Sequence, residues 1–104
     1  MNITYQNTIF TVKKKSYTNK RLALILEEQF NEAMPADEFA GLDTIYVSVN
    51  LPAAHCKADE IYVDTNKLPN DLIDLLTEQN IISDIIGSSI SGFVIYPRVK
   101  VLIK

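Results

Sequence analysis

Arg21-Leu22-Ala23-Leu24-Ile25-Leu26-Glu27-Glu28 is the stretch on which the fold turns. Leu22, Ile25, Leu26, Phe30 and Ala33 fit one face of a helix, and the residue types favour helix. The same eight residues also fit a strand that is apolar on both faces, as a central strand would be. Periodicity by itself narrowly favours the helix.

Upstream, residues 3–15 read as two short strands around Gln6-Asn7. Thr8, Phe10 and Val12 alternate with Ile9, Thr11 and Lys13, so the second strand has one apolar face, and Lys13 to Lys15 mark its exit into solvent. Downstream, Gln29 to Asp43 holds Pro35 and Gly41 and is too long for a hairpin turn; a helical turn is expected at Ala36 to Ala40. Thr44 to Leu51 reads as the clearest strand, with Ile45, Val47, Val49 and Leu51 on one side and Pro52 at its end.

Glu60 to Asp64 is a further short strand, followed by a turn at Thr65-Asn66. Pro69 to Gln79 is predicted to be a helix: proline suits its first position, Asp71 complements the dipole, and Leu68, Leu72, Leu75 and Leu76 share one face. Asn80 suits its C-terminal cap. Gly87 to Gly92 reads as a small-residue turn into a last strand, whose odd positions Phe93, Ile95, Val99, Val101 and Ile103 are apolar. Pro97 implies that this strand is bulged there or lies at an edge.

Composition bounds the function. The 104 residues, 47% apolar and 22% charged, suit one globular domain spanning 1–104. No run approaches the roughly 20 apolar residues of a membrane span, and the N-terminus has no leader pattern. One cysteine, Cys56, agrees with a reducing cytoplasm, so a soluble cytoplasmic protein is expected. The net charge of −3 is uneven: Lys13, Lys14, Lys15, Lys20 and Arg21 are followed by Glu27, Glu28, Glu32, Asp37, Glu38 and Asp43. Overall acidity argues against a dedicated nucleic-acid binder, although the lysines with Tyr5 and Tyr17 would make a basic aromatic strip.

Catalytic chemistry has little to work with. His55 and Cys56 are the one histidine and the one cysteine, adjacent in a loop where neighbours point apart, so a thiol enzyme is a minor alternative. Asp59, Glu60 and Asp64 show no calcium-loop spacing, and the three glycines make no phosphate cradle. No cofactor and no metal are expected.

The second half carries a recognisable order: Tyr46-Val47-Ser48-Val49-Asn50-Leu51-Pro52, then Ile61-Tyr62-Val63-Asp64-Thr65-Asn66, a helix, and Ser91-Gly92-Phe93-Val94-Ile95-Tyr96-Pro97. Over residues 44–97 this resembles an uncharacterised family of small proteins, a domain of unknown function found in phages, plasmids and conjugative elements. The resemblance implies a strand at Arg21 to Glu28. It also implies a host-directed role, since some relatives inhibit the type II CRISPR effector nuclease. The chain departs from the family in Ile85 to Ile90, apolar and serine-rich where a Gly-Arg-rich loop is usual. Asp64 and Asn66 read as residues that fix the turn feeding the helix.

Taken with the resemblance, these readings predict an α+β fold: a mostly antiparallel sheet of five to six strands with one main helix packed on a face. The core would draw on Leu22, Leu24, Leu26, Ile45, Val47, Val49, Val63, Leu72, Leu76, Phe93, Ile95 and Val101. The expected function is non-enzymatic binding of a host protein, with the CRISPR effector nuclease as the specific target the resemblance suggests. Candidate contacts are Lys13, Lys14, Lys15, Tyr46, Tyr62, Tyr96 and Arg98, because interfaces favour Tyr and Arg. A self-associating protein paired through Phe93 to Ile103 is the other alternative, opposed by Lys100 and Lys104.

Overall fold

In the computed structural model, residues 1–29 and 44–103 are described. The chain opens with a hairpin of β1 (Asn2–Tyr5) and β2 (Thr8–Ser16). Gln6 and Asn7 form its two-residue turn with φ of 50° and 63°, the doubly left-handed geometry that matches strand twist. Phe10 and Val12 are buried and Ile9 is exposed, as the alternation requires. Lys13 to Lys15 lie within β2, paired with Ile25, Leu24 and Ala23, and not beyond its end.

Arg21 to Glu28 yields a strand, β3 (Leu22–Glu28), flanked by β2 and by β4 (Thr44–Tyr46). Ala23, Leu24, Ile25 and Leu26 are each at most 2% exposed, so both faces are covered. The strand wins because neighbours on both sides satisfy its backbone while consecutive apolar residues find cover on opposite faces. The helical turn expected at Ala36 to Ala40 lies outside the described residues.

Thr44 to Leu51 is not one strand. It breaks at Val47 into β4 in a first sheet and β5 (Ser48–Val49) in a second. Val47 bridges the two: its N–H donates to the Leu24 carbonyl and its carbonyl accepts from the Asp64 N–H, each at 2.9 Å. Strands that switch sheets in this way turn a corner of the core. Where the ladder breaks, Ser48 substitutes a side chain for it. Its buried hydroxyl accepts the Leu24 N–H at 3.0 Å and lies 2.9 Å from the Tyr17 hydroxyl. Ser48→Ala would leave a buried donor unsatisfied, so urea denaturation should show a loss of about 1–3 kcal/mol.

β6 (Glu60–Val63) is buried at all four positions. After it, the main-chain carbonyl of Asp64 accepts from the Lys67 and Leu68 N–H groups and closes the turn. Helix α1 (Asn70–Glu78) starts after Pro69, which holds the cap position with extended backbone and does not enter the helix. Its last turn ends on Asn80 at φ 57°. There the Ile81 N–H reaches the Leu76 carbonyl and the Asn80 N–H reaches that of Thr77, the paired bonds of a Schellman ending. Leu76 and Ile81, both fully buried, make the apolar contact that accompanies it.

Gly87 to Gly92 is more than a turn. Gly87–Ser91 forms β7, which pairs with β8 (Val94–Lys100) through a hairpin turned at Gly92-Phe93. Gly92 takes φ 63°, which glycine adopts without strain at the first position of such a turn.

The expected single sheet of five to six strands with a main helix on one face is therefore overturned. The described residues form two four-stranded antiparallel sheets, ordered β1-β2-β3-β4 and β5-β6-β8-β7, with one nine-residue helix. Leu72 and Leu76 of that helix join a core drawn from both sheets, including Phe10, Leu24, Leu26, Val47, Ile61 and Val99. Two residues placed in the core by their alternation are outside it: Phe93 and Ile95 are exposed. No helix among the described residues is long and apolar enough to cross a membrane.

Candidate functional site

The β7–β8 hairpin projects past its sheet. β6 pairs with β8 only at Arg98, Val99 and Lys100, whereas β7 follows β8 to Val94. Among the described strands residues 94–97 thus have one neighbour, which is where Pro97 can lack a donor without loss. Ile90 and Ile95 are register partners and point to the same face. That face is the continuation of Pro97 and buried Val99 beyond the core, and Ile90 and Ile95 are exposed on it. Ile85 (68% exposed), Ile86 (48%), Ile90 (70%), Phe93 (107%) and Ile95 (61%) are five of the nine exposed large hydrophobics among the described residues. Their confinement to eleven consecutive positions makes a patch, where scattered ones would need no explanation.

At the base of the hairpin the strand is bulged. Ile82 bridges Val101 and Gly87 pairs with Arg98, so five steps on one side oppose three on the other. The extra residues carry Ile85 outward, a common device for re-aiming a side chain beside a binding site. Between this bulge and α1 runs a groove of about 480 Å³, with Val63, Ile82 and Val99 beneath it and Ile73, Ile85 and Pro97 on its sides. Asp74, Glu78 and Asp84 stand at its margin.

Of the expected contact residues, Tyr96 and Arg98 lie on β8 of this hairpin and the others lie elsewhere. Lys13 and Lys15 hold Glu27 between them at 2.7 and 3.4 Å, and Lys14 donates to the Ile103 carbonyl at 3.1 Å. Hydrogen bonds from Lys13 first, then Lys15, hold the Glu27 carboxyl below its ordinary range. Tyr46 is 54% exposed on β4, in the first sheet. Tyr62 is 3% exposed and donates its hydroxyl to the His55 carbonyl, so it packs and is not presented. Tyr96, half-buried, is paired with Ser89 on the hairpin.

Arg98 ties the 55–60 loop to β8. Its Nε lies 3.5 Å from the Glu60 carboxylate, an ion pair without hydrogen-bond alignment, and Nη1 donates to the His55 carbonyl at 3.4 Å. A Cβ at Gly87 would sit 2.8 Å from Nη2, so glycine lets the guanidinium lie across β7.

The Cys56 thiol is engaged by the main chain. The Cys56 thiol donates to the Glu60 carbonyl at 2.9 Å, and burial, outweighing the nearby Arg21, pushes its pKa up. A nucleophile needs the opposite shift. Alkylation by iodoacetamide at pH 8 should accordingly run slower than for free cysteine, with its midpoint displaced to higher pH. A rate equal to or above that of free cysteine would contradict this arrangement. For cations, Asp59 is paired with Lys100 and Glu60 with Arg98, and among the described residues no three His, Cys, Asp or Glu side chains gather.

Ile85, Ile86, Ile90, Phe93 and Ile95 were hidden from sequence reasoning because alternation marks a face without saying what covers it. One signal was available: Gly92-Phe93 between pairing residues is hairpin chemistry. Among known proteins, the model of one family, described as a domain of unknown function (DUF4313), matches residues 11–103. No curated protein and no solved structure matches the chain.

Proposed function

The chain belongs to the DUF4313 family, a domain of unknown function, and from that premise we propose that it is a non-enzymatic binding protein whose contact surface is the β7–β8 hairpin and the groove at its base. The carrying observation is the exposed run Ile85, Ile86, Ile90, Phe93 and Ile95. Apolar area left in water at this density is recovered when a partner covers it, at about 1.5–3 kcal/mol for each large side chain fully buried. Ile90, Phe93 and Ile95 project from paired strands or the tight turn between them, which suits a preorganised contact. The suppressed thiol and the paired carboxylates favour binding over catalysis.

The resemblance of residues 44–97 adds the setting. The protein would act in a bacterial cytoplasm as the product of a phage or mobile element, occupying a host protein. Inhibition of the type II CRISPR effector nuclease is the specific form this would take. Capture from host lysate supplemented with the guide-loaded nuclease tests it, using native protein beside the variant Ile90→Ser/Phe93→Ser/Ile95→Ser. A protein retained by the native chain and lost by the variant supports the reading, and cleavage assays follow if it is the nuclease. Equal retention by both would sink it.

Self-association through Phe93 to Ile103 would be confined on β8 to residues 94–97, because β8 has β7 along its length and β6 over its last three residues. Among the described residues, β5 and β7 are the edge strands of that sheet.

A further inference from the structure

The groove beside the hairpin has apolar sides and an acidic margin, and that margin is left unneutralised. Elsewhere Glu27 takes Lys13 and Lys15, Asp59 takes Lys100 and Glu60 takes Arg98. Among the described residues Asp74, Glu78 and Asp84 have no ion pair, and no lysine or arginine lines the groove.

Two of these acids stand where a helix would rather not have them. Asp74 and Glu78 are four residues apart on α1, a like-charge spacing that disfavours helix. Glu78 also occupies the last turn, which has no basic residue, against the negative end of the helix dipole. Both nevertheless face the groove. Charges held against the preference of their own helix, around an apolar trough, call for a cation from outside.

We infer that the groove receives a segment of a partner protein that is both apolar and basic. Its aliphatic or aromatic side chains lie against Ile73, Ile85 and Pro97, and its lysines or arginines meet Asp74, Glu78 and Asp84. The face of the hairpin carrying Ile90 and Ile95 continues along β8 from Pro97 at the side of the groove, so this inference rests on the binding function proposed above and specifies what is bound.

The test is selection of a displayed library of random dodecapeptides on the immobilised protein, followed by titration of a synthetic copy of the strongest binder. Enriched sequences should combine Leu, Ile, Phe or Met with Lys or Arg. The synthetic peptide should bind about tenfold more weakly to Asp74→Asn/Glu78→Gln/Asp84→Asn, and rising salt should weaken its binding to the native chain more than to this variant. Neutralisation at these exposed sites should leave the melting temperature unchanged or higher, so lost binding would not reflect misfolding.

Enriched peptides without bases, or equal binding to the neutralised variant, would overturn the inference. If such peptides still lost binding to the serine variant of Ile90, Phe93 and Ile95, the hairpin would remain the contact surface. A library yielding no binder, or binders indifferent to both variants, would remove both. Dimerisation of the native chain in sedimentation, absent from the neutralised variant, would assign the groove to a second copy and likewise overturn the inference.

Discussion

Serine at Ile90, Phe93 and Ile95 together is expected to leave the urea midpoint of the protein almost unmoved while reducing partner affinity by about a hundredfold or more. The three side chains are 61% to 107% exposed, and the folded chain has little to lose when they are cut back. Substitutions on such surfaces fall within about 0.5 kcal/mol. At an interface the balance reverses, since apolar anchors near its centre each carry about 2 kcal/mol or more. The dissociation between the two readouts is the informative result. A midpoint lowered far enough to mean a loss of several kcal/mol in unfolding free energy would place these residues in the fold.

Leu24→Ala is expected to be the most damaging single truncation, costing about 2–5 kcal/mol in equilibrium denaturation. Leu24 is fully buried in the core that both sheets share. Its backbone holds the point where the chain crosses between them, donating its N–H to Ser48 Oγ and accepting the Val47 N–H at its carbonyl. A cavity there loosens both sheets at once. Against a total stability of about 5–15 kcal/mol, the loss would leave a substantial unfolded population in a small domain. A cost below about 1 kcal/mol would mean that the site collapses to fill the space.

Local elements were legible where chemistry and spacing agreed. The Gln6-Asn7 hairpin, the Glu60 strand and the Leu72–Leu76 face are all written in residue type and period. Arg21 to Glu28 was not, because five consecutive apolar residues fit either period; cover on both faces of β3 decides it. The break at Val47 was invisible too, since alternation through Ile45, Val47 and Val49 continues across a corner as smoothly as along a strand. What happens there depends on Leu24 and Asp64, which reach it from distant segments.

The site was the least legible part. Phe93 and Ile95 extend the alternation of Val99 and Val101, so they read as core. Gly87 to Ser91 read as a tight turn because glycine and serine are poor strand formers, yet pairing to β8 overrides that preference. The lysines and tyrosines singled out by residue type are largely tied up: Lys13 and Lys15 by Glu27, Tyr62 by burial. Residue type named what interfaces like, whereas exposure shows what this chain presents.

Hydrogen–deuterium exchange with and without the captured partner locates the contact surface most directly. The account predicts new protection over residues 82–97, spanning the bulge, β7 and the Gly92-Phe93 turn, with α1 as its flank. Protection confined to β2 and β4, around Lys13, Lys15 and Tyr46, with the hairpin unchanged, would contradict it.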